Sequence, residues 1–302
     1  MNLKKNILIV GGTGFIGYHL AKRCLKLNWN VTSISTKKPI HKRYLKNVNY
    51  IVSDITKKRK LKYLIKKNFN FVVNLGGYVD HINKKKTYNT HFLGLKNLVE
   101  IFIKKNITSF VQAGSSAEYG DTKSPHSESL NCNPKLIYGK SKLLASNYLM
   151  MMYKKYKFPV TVLRFYQVFG HKQDFNRFIP ILIKACINNE KFPCSNGTQL
   201  RDFLYIDDAI DAILKSLKNI KAHGKIINIG MGRPIMLKKI IKLVRKKAKG
   251  GKPQFGKIKL RVDEPKVIFP KLSKAKKILN WKSKITFKKG LNRTIKQYEQ
   301  YY

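Results

Sequence analysis

The segment from residue 6 to residue 17, NILIVGGTGFIG, restricts the fold more than any other part of the chain. Five mostly apolar residues lead directly into a glycine-rich turn, and the turn leads into the amphipathic stretch GYHLAKRCLKL (17–27). Backbone that must turn tightly and come close to an anion needs residues without a Cβ. A helix starting at the same point aims unpaired amide donors and a positive dipole end at that anion. Strand, glycine turn and helix at this spacing read as a parallel α/β unit that holds the pyrophosphate of a dinucleotide. Gly11, Gly14 and Gly17 supply the turn, and Thr13, Phe15 and Ile16 complete the candidate cofactor loop.

The same rhythm continues for two-thirds of the chain. NILIV (6–10), VTSIS (31–35), VNYIVSD (48–54), FNFVVNLG (69–76), SFVQAGS (109–115) and PVTVLRFY (159–166) read as strands. Helical patterns lie between them, at 17–27, 91–105 and 141–156. Alternation at this spacing predicts an α/β fold, a Rossmann-like doubly wound parallel sheet with helices on both faces. After residue 170 the alternation breaks. We expect residues 1–170, with a strand near 225–230, to form the dinucleotide-binding domain. Residues 171–224 and 231–302 should form a smaller C-terminal substrate-binding lobe.

The charge is extreme, with 63 basic against 15 acidic residues and a formal net charge of +48. Such a balance suits polyanions. Yet only ten of the basic residues are arginine, the side chain favoured for forked contacts to phosphates and bases, and the lysines are scattered along the whole length. Composition therefore argues for a solvated basic surface and against a nucleic-acid partner. Cys24, Cys132, Cys186 and Cys194 show no metal-ligand spacing and read as reduced thiols. No apolar run approaches the roughly 18 residues of a membrane span, and the N-terminus lacks a signal-peptide layout, so a soluble cytoplasmic protein is expected. His81 and His91 are ten residues apart without an acidic partner, too little for a metal site.

The end of the second strand chooses between cofactors. An acid there would bind a ribose diol, but the sequence has STKKP (35–39). Thr36 and Lys37 suit a 2′-phosphate, which favours NADP(H) over NAD(H), although NAD(H) stays open in a chain so rich in lysine. Asp54 is placed either to accept from an adenine amino group or simply to close a turn, with Ile55 beside it.

Four tyrosines precede a lysine by four residues, a spacing that puts phenol and ammonium on one helix face. Tyr63/Lys67 belongs to a connecting helix, Tyr119/Lys123 to a loop, and Tyr153/Lys157 to a helix end. Only Tyr138/Lys142 opens the helix that follows a strand ending in serines, Ser115 and Ser116, at the edge where open parallel sheets bind ligands.

With these motifs in order, the chain resembles an extended short-chain dehydrogenase/reductase of the NAD-dependent epimerase/dehydratase family, which acts on nucleotide sugars. NLGG (74–77), SSAEYG, YGKSK, RFYQVFG (164–170), RFIP (177–180), NGTQLRDFLYIDD (196–208), NIGMG (228–232) and RVDEP (261–265) carry the likeness nearly end to end. The resemblance implies that Tyr138 is the general acid/base, with Lys142 favouring its phenolate and holding the nicotinamide ribose. A free phenol keeps its proton to about pH 10, so a neighbouring cation matters. It implies that Ser115 hydrogen-bonds the reacting oxygen and that Leu75, Gly76 and Gly77 line the cofactor. Ser116 and Gln167 would contact substrate, and Arg201 and Arg261 would clamp a nucleoside diphosphate; for each arginine a surface ion pair is the plain alternative. Family dehydratases carry an acid just after the position of Ser115, where this chain has Ser116 and Ala117, with Glu118 one step late. Dehydration is thus disfavoured. The expected activity is a 4-keto-sugar reductase or C4 epimerase acting on a nucleoside-diphosphate sugar, as a homodimer packed through helices 91–105 and 141–156. The competing reading is a non-catalytic scaffold of this fold that binds RNA or another polyanion.

Overall fold

The computed structural model describes residues 4–78, 83–260 and 264–301. In chain order the first elements are β1 (Asn6–Val10), α1 (Phe15–Lys26), β2 (Asn30–Ser35), β3 (Val48–Val52), α2 (Lys58–Leu64), β4 (Phe71–Asn74), α3 (Lys84–Tyr88), α4 (Gly94–Phe102), β5 (Ser109–Ser115), α5 (Ile137–Tyr156) and β6 (Val160–Phe165). There follow β7 (Gln167–Phe169), α6 (Phe178–Ile187), β8 (Lys191–Pro193), β9 (Leu200–Arg201), β10 (Phe203–Tyr205), α7 (Ile206–Leu217), β11 (Lys225–Ile229), β12 (Ile235–Met236), α8 (Leu237–Ala248), β13 (Lys252–Gln254), β14 (Val267–Ile268), α9 (Ser273–Leu279) and α10 (Phe287–Tyr298).

Seven strands form one sheet in the order β11-β6-β5-β4-β1-β2-β3, every neighbouring pair parallel. Strands buried on both faces read as mostly apolar runs, as in NILIV of β1 and FVVN of β4, while β6, VTVLRF, also buries Thr161 and Arg164. The side-chain alternation of a strand then sends neighbours to opposite cores. Ile7 and Ile9 of β1 join one cluster with Leu20 and Cys24 of α1 and Ile213 of α7. Leu8 and Val10 join the other, with Leu95 and Phe102 of α4 and Leu149 of α5. The doubly wound three-layer architecture expected from the sequence is the one observed.

The chain winds from β1 toward β3 on one side and from β4 toward β6 on the other, so the direction reverses between β1 and β4. That switch point opens a crevice at the carboxyl ends of the two strands. Some element bounds differ from the sequence expectation. The helical run before β5 starts at Lys84 rather than 91, passes through a π turn at Asn89–Leu93 and ends at Phe102. Periodicity alone misplaces the start of this run because a π turn shifts the 3.6-residue phase.

The short strands after β6 pair among themselves, β10 with β7, β13 with β8, and β9 between β12 and β14. The last helices are tied back by Asp208 of α7. Its carboxylate accepts from the amides of Lys284 (3.0 Å) and Ile285 (2.9 Å), and its carbonyl accepts from the Trp281 indole. All four cysteines are free, and no group of potential metal ligands occurs among the described residues. Among those residues no helix is long and apolar enough to cross a membrane.

Candidate active site

The glycine loop sits at the switch point. Gly11 has φ +78, and a Cβ on it would lie 2.9 Å from the carbonyl of Leu75, so the turns after β1 and β4 touch there. Gly17 is held tighter still, because a Cβ there would meet the Gly11 carbonyl oxygen at 2.3 Å. Gly14 is the N-cap of α1, and the helix has neither a side-chain cap nor an acid in its first turn. Its first amides, which no helix can satisfy internally, are left for an anion. Thr13 donates its amide to Ser35 Oγ at 3.3 Å, and Phe15 and Ile16 pack partly buried against the core. A close-packed cradle that a Cβ would fill, together with an uncapped helix start, fits the pyrophosphate of a nicotinamide dinucleotide.

The other predicted cofactor residues follow the carboxyl ends of β2, β3 and β4. Thr36 and Lys37 are exposed at the carboxyl end of β2. Asp54 is also exposed and accepts the Thr56 amide at 2.8 Å, while the buried Ile55 packs under the helices through its contact with Gly94. Leu75, Gly76 and Gly77 follow β4. The Gly76 amide donates to Asn74 Oδ1 at 3.0 Å, and a Cβ on Gly77 would strike the His91 ring at 2.6 Å.

Two strands from β1 in the sheet, Ser115 ends β5 and caps a 3-10 turn, Ser116–Tyr119. Its Oγ accepts from the Ala117 amide at 3.2 Å, which leaves its own proton to donate. Tyr138 lies in the first turn of α5 and Lys142 one turn on. Lys142 is buried, donates to the Ala113 carbonyl at 2.8 Å, and stands 5.9 Å from the centroid of the Tyr138 ring. A Cβ on Gly139 would sit 2.5 Å from the Ala117 carbonyl oxygen, so the helix turn bearing Tyr138 abuts the turn that follows Ser115. The structure therefore brings Ser115, Tyr138 and Lys142 to the junction of one strand end and one helix start. Behind them His91, buried in the π turn, meets the Tyr138 ring edge-on at 5.0 Å and hydrogen-bonds the Tyr78 carbonyl through Nε2 at 3.1 Å.

The competing pairs have other environments. Lys67 lies beyond the end of α2, which carries Tyr63. Tyr119 is not on an open loop but fully buried, its hydroxyl donating to Asn228 Oδ1 at 2.8 Å, because the 3-10 turn folds it into the core. Lys157 does lie against its tyrosine, 5.7 Å from the Tyr153 ring, as the left-handed cap of α5.

Of the residues expected to contact substrate, Ser116 is half-buried and Gln167 is exposed on β7. Arg201 of β9 is buried and donates to Glu264 Oε1 at 2.8 Å and to the Leu200 carbonyl at 3.0 Å. Arg261 and His81 lie outside the described residues.

Sequence reasoning treated Glu118 as an acid displaced from the position where dehydration would need it. The structure gives it another place. Fully buried, it accepts from the Ser115 amide (2.8 Å), Ser146 Oγ (2.7 Å) and Arg164 Nε (2.8 Å). The Ser-x-x-Glu spacing of a capping box was readable in the sequence, but its partners 28 and 46 residues away were not. Asp202 was missed as well. It accepts the amides of Met231, Gly232 and Arg233, and burial pushes its carboxyl up to about 6 against the pull of those donors.

A sequence model of the NAD dependent epimerase/dehydratase family matches residues 7–230. A protein of Thermodesulfobacterium geofontis named UDP-glucuronate 4-epimerase is 28% identical, over 95% of this chain and 94% of that one. A Bos taurus protein named dTDP-D-glucose 4,6-dehydratase is 27% identical over 98% and 89%. Among solved structures, a mutant UDP-glucuronic acid 4-epimerase of Bacillus cereus, in complex with UDP-4-deoxy-4-fluoro-glucuronic acid and NAD, superposes with a TM-score of 0.90. It is 25% identical and covers 98% of this chain and 100% of its own.

Proposed function

Because the chain belongs to the NAD-dependent epimerase/dehydratase family, we propose that it is an NAD(P)-dependent enzyme transferring hydride to or from a nucleoside-diphosphate sugar, as a 4-keto-sugar reductase or a C4 epimerase. One observation carries this reading: Tyr138, Lys142 and Ser115 share the junction of β5 and α5, beside the crevice that opens at the glycine loop. A bound nicotinamide ring would give or take the hydride. Ser115 donates its free proton to the reacting oxygen and fixes its position. Tyr138 exchanges a proton with that oxygen, with the Lys142 ammonium one turn away at 5.9 Å from its ring. Arg201, released from Glu264 or sharing it, supplies a forked cation for the diphosphate. Glu118 is enclosed by three donors and cannot reach a substrate to expel water, which supports reduction or epimerisation over dehydration.

We read the cofactor as NADP(H) before NAD(H), because the segment STKKP that ends β2 holds the exposed Thr36 and Lys37 and no acid. We read a second copy of the chain as packing against α4 and α5, where Leu93 of the π turn and Leu144 and Met151 of α5 are large exposed apolar side chains; sedimentation as a monomer would end that part of the reading.

The test is turnover of nucleoside-diphosphate hexoses and their 4-keto derivatives, followed by NADPH absorbance and by sugar NMR for epimers. Tyr138→Phe keeps the ring contact with His91 and should lower kcat by about 10²–10⁴-fold without changing the melting temperature. Undiminished turnover in that variant refutes the assignment. Equal affinity for NADH and NADPH refutes the cofactor preference.

A further inference from the structure

Three buried side chains, Glu118, Ser146 and Arg164, bond one another where β5, α5 and β6 meet. Glu118 Oε1 accepts the amide of Ser115 at the end of β5. Glu118 Oε2 accepts the hydroxyl of Ser146, on the same face of α5 as Tyr138 and Lys142 at steps of four residues, and the Nε of Arg164 on β6. One carboxylate thus bonds the strand that carries the serine, the helix that carries the tyrosine and lysine, and the neighbouring strand. All three side chains are almost wholly buried, at 0% exposed for Glu118, 1% for Ser146 and 2% for Arg164.

The surrounding glycines show how closely this junction is packed. A Cβ on Gly114 would lie 2.7 Å from Glu118 Oε1 and 3.1 Å from Arg164 Cγ, so that strand position leaves room for the carboxylate. Gly139 lets the first turn of α5 close onto Ala117. A charged pair placed in a core costs desolvation that an apolar pair would avoid, so its net value for stability is small. Its geometry is nonetheless stringent. Lys142 makes the other link between helix and strand, through the Ala113 carbonyl, but that ammonium also serves the reaction.

We propose that Glu118 is a positioning residue for the reaction read above, fixing the separation of the Ser115 hydroxyl from the Tyr138 phenol through its bonds to Ser115 and Ser146. The proposal rests on that reading for its catalytic consequence but not for the tie itself. Glu118→Gln turns an amide nitrogen toward the Ser115 amide in one orientation and toward Ser146 and Arg164 in the other, and so breaks at least one bond. Ser146→Ala removes only the bond to the helix and leaves the ion pair and the capping of Ser115 intact, so it decides the matter even where the Gln variant does not fold.

The experiment measures kcat and KM per folded molecule, together with amide exchange over residues 110–120, in the parent and both variants. Misplacement on the ångström scale costs on the order of 10²-fold in rate. We expect kcat to fall about 10²-fold in Glu118→Gln and about tenfold in Ser146→Ala, KM to stay within about twofold, and exchange at Ser115 to quicken in Glu118→Gln. A purely structural role would lower the melting temperature and leave kcat per folded molecule unchanged. Values of kcat within about twofold of the parent in every variant that folds overturn the proposal. A parent protein that turns over no nucleotide sugar overturns the proposed reaction instead, and the exchange measurement alone then decides whether Glu118 ties strand to helix.

Discussion

Replacing Gly17 by alanine tests the cofactor cradle directly. The added methyl would stand 2.3 Å from the Gly11 carbonyl oxygen and 2.6 Å from the Gly12 Cα, where ordinary contact begins at 3.4 Å, and both obstacles are backbone. The start of α1 must therefore retreat by about 1 Å. A hydrogen bond of about 2.9 Å from an α1 amide to a phosphate oxygen then lengthens to nearly 3.9 Å, beyond useful range. Two such charge-assisted bonds, at about 1.5–3 kcal/mol each, amount to some 3–6 kcal/mol. Dinucleotide affinity should drop by roughly 10²–10⁴-fold. The overpacking itself costs about 1–3 kcal/mol of stability, so the variant should still fold. Fluorescence titration with NADPH and NADH, beside a thermal melt, reads both effects. Gly14→Ala is the contrast, since its Cβ would meet only the Gly11 carbonyl oxygen, at 3.2 Å, on a backbone with φ −76. It should melt within about 1 kcal/mol of the parent. If Gly17→Ala binds the dinucleotide within threefold of the parent, this helix start does not hold the pyrophosphate, and the reasoning from packing to cofactor is wrong.

Arg201→Gln should raise KM for a nucleotide sugar about 10–10²-fold with kcat nearly unchanged, and Arg201→Lys should not restore it, because a single ammonium cannot reproduce the fork; a normal KM in Arg201→Gln removes the arginine from the substrate site. Acid should destabilise the fold through His19. Burial, then the neighbouring His171, press its imidazole down to about 3 from 6.5. The folded state thus binds fewer protons than the unfolded chain between those values, and stability present above pH 6.5 is lost as pH falls. His126, His171 and His223 shift the same way, while Asp202, raised to about 6, acts oppositely. Between pH 7 and 5, denaturant titrations should show His19→Gln losing about 2 kcal/mol less than the parent; identical slopes contradict the assignment.

The sequence alone determined the doubly wound sheet and the glycine loop after its first strand, and it singled out Tyr138 as the candidate among four tyrosine–lysine pairs. Each rests on local order: apolar runs bounded by turns, glycines where a strand meets a helix, and a phenol one helical turn from an ammonium. Such features need no distant partner, so a linear reading finds them. Only tertiary structure decided what Glu118 does. Its capping of Ser115 is local, but its bonds to Ser146 and Arg164 exist because β5, β6 and α5 converge there. The same holds for Arg201 against Glu264, 63 residues away, and for the His91 ring behind Tyr138. A buried charge takes its meaning from the donors around it, and those donors arrive from segments whose proximity no spacing in the sequence encodes.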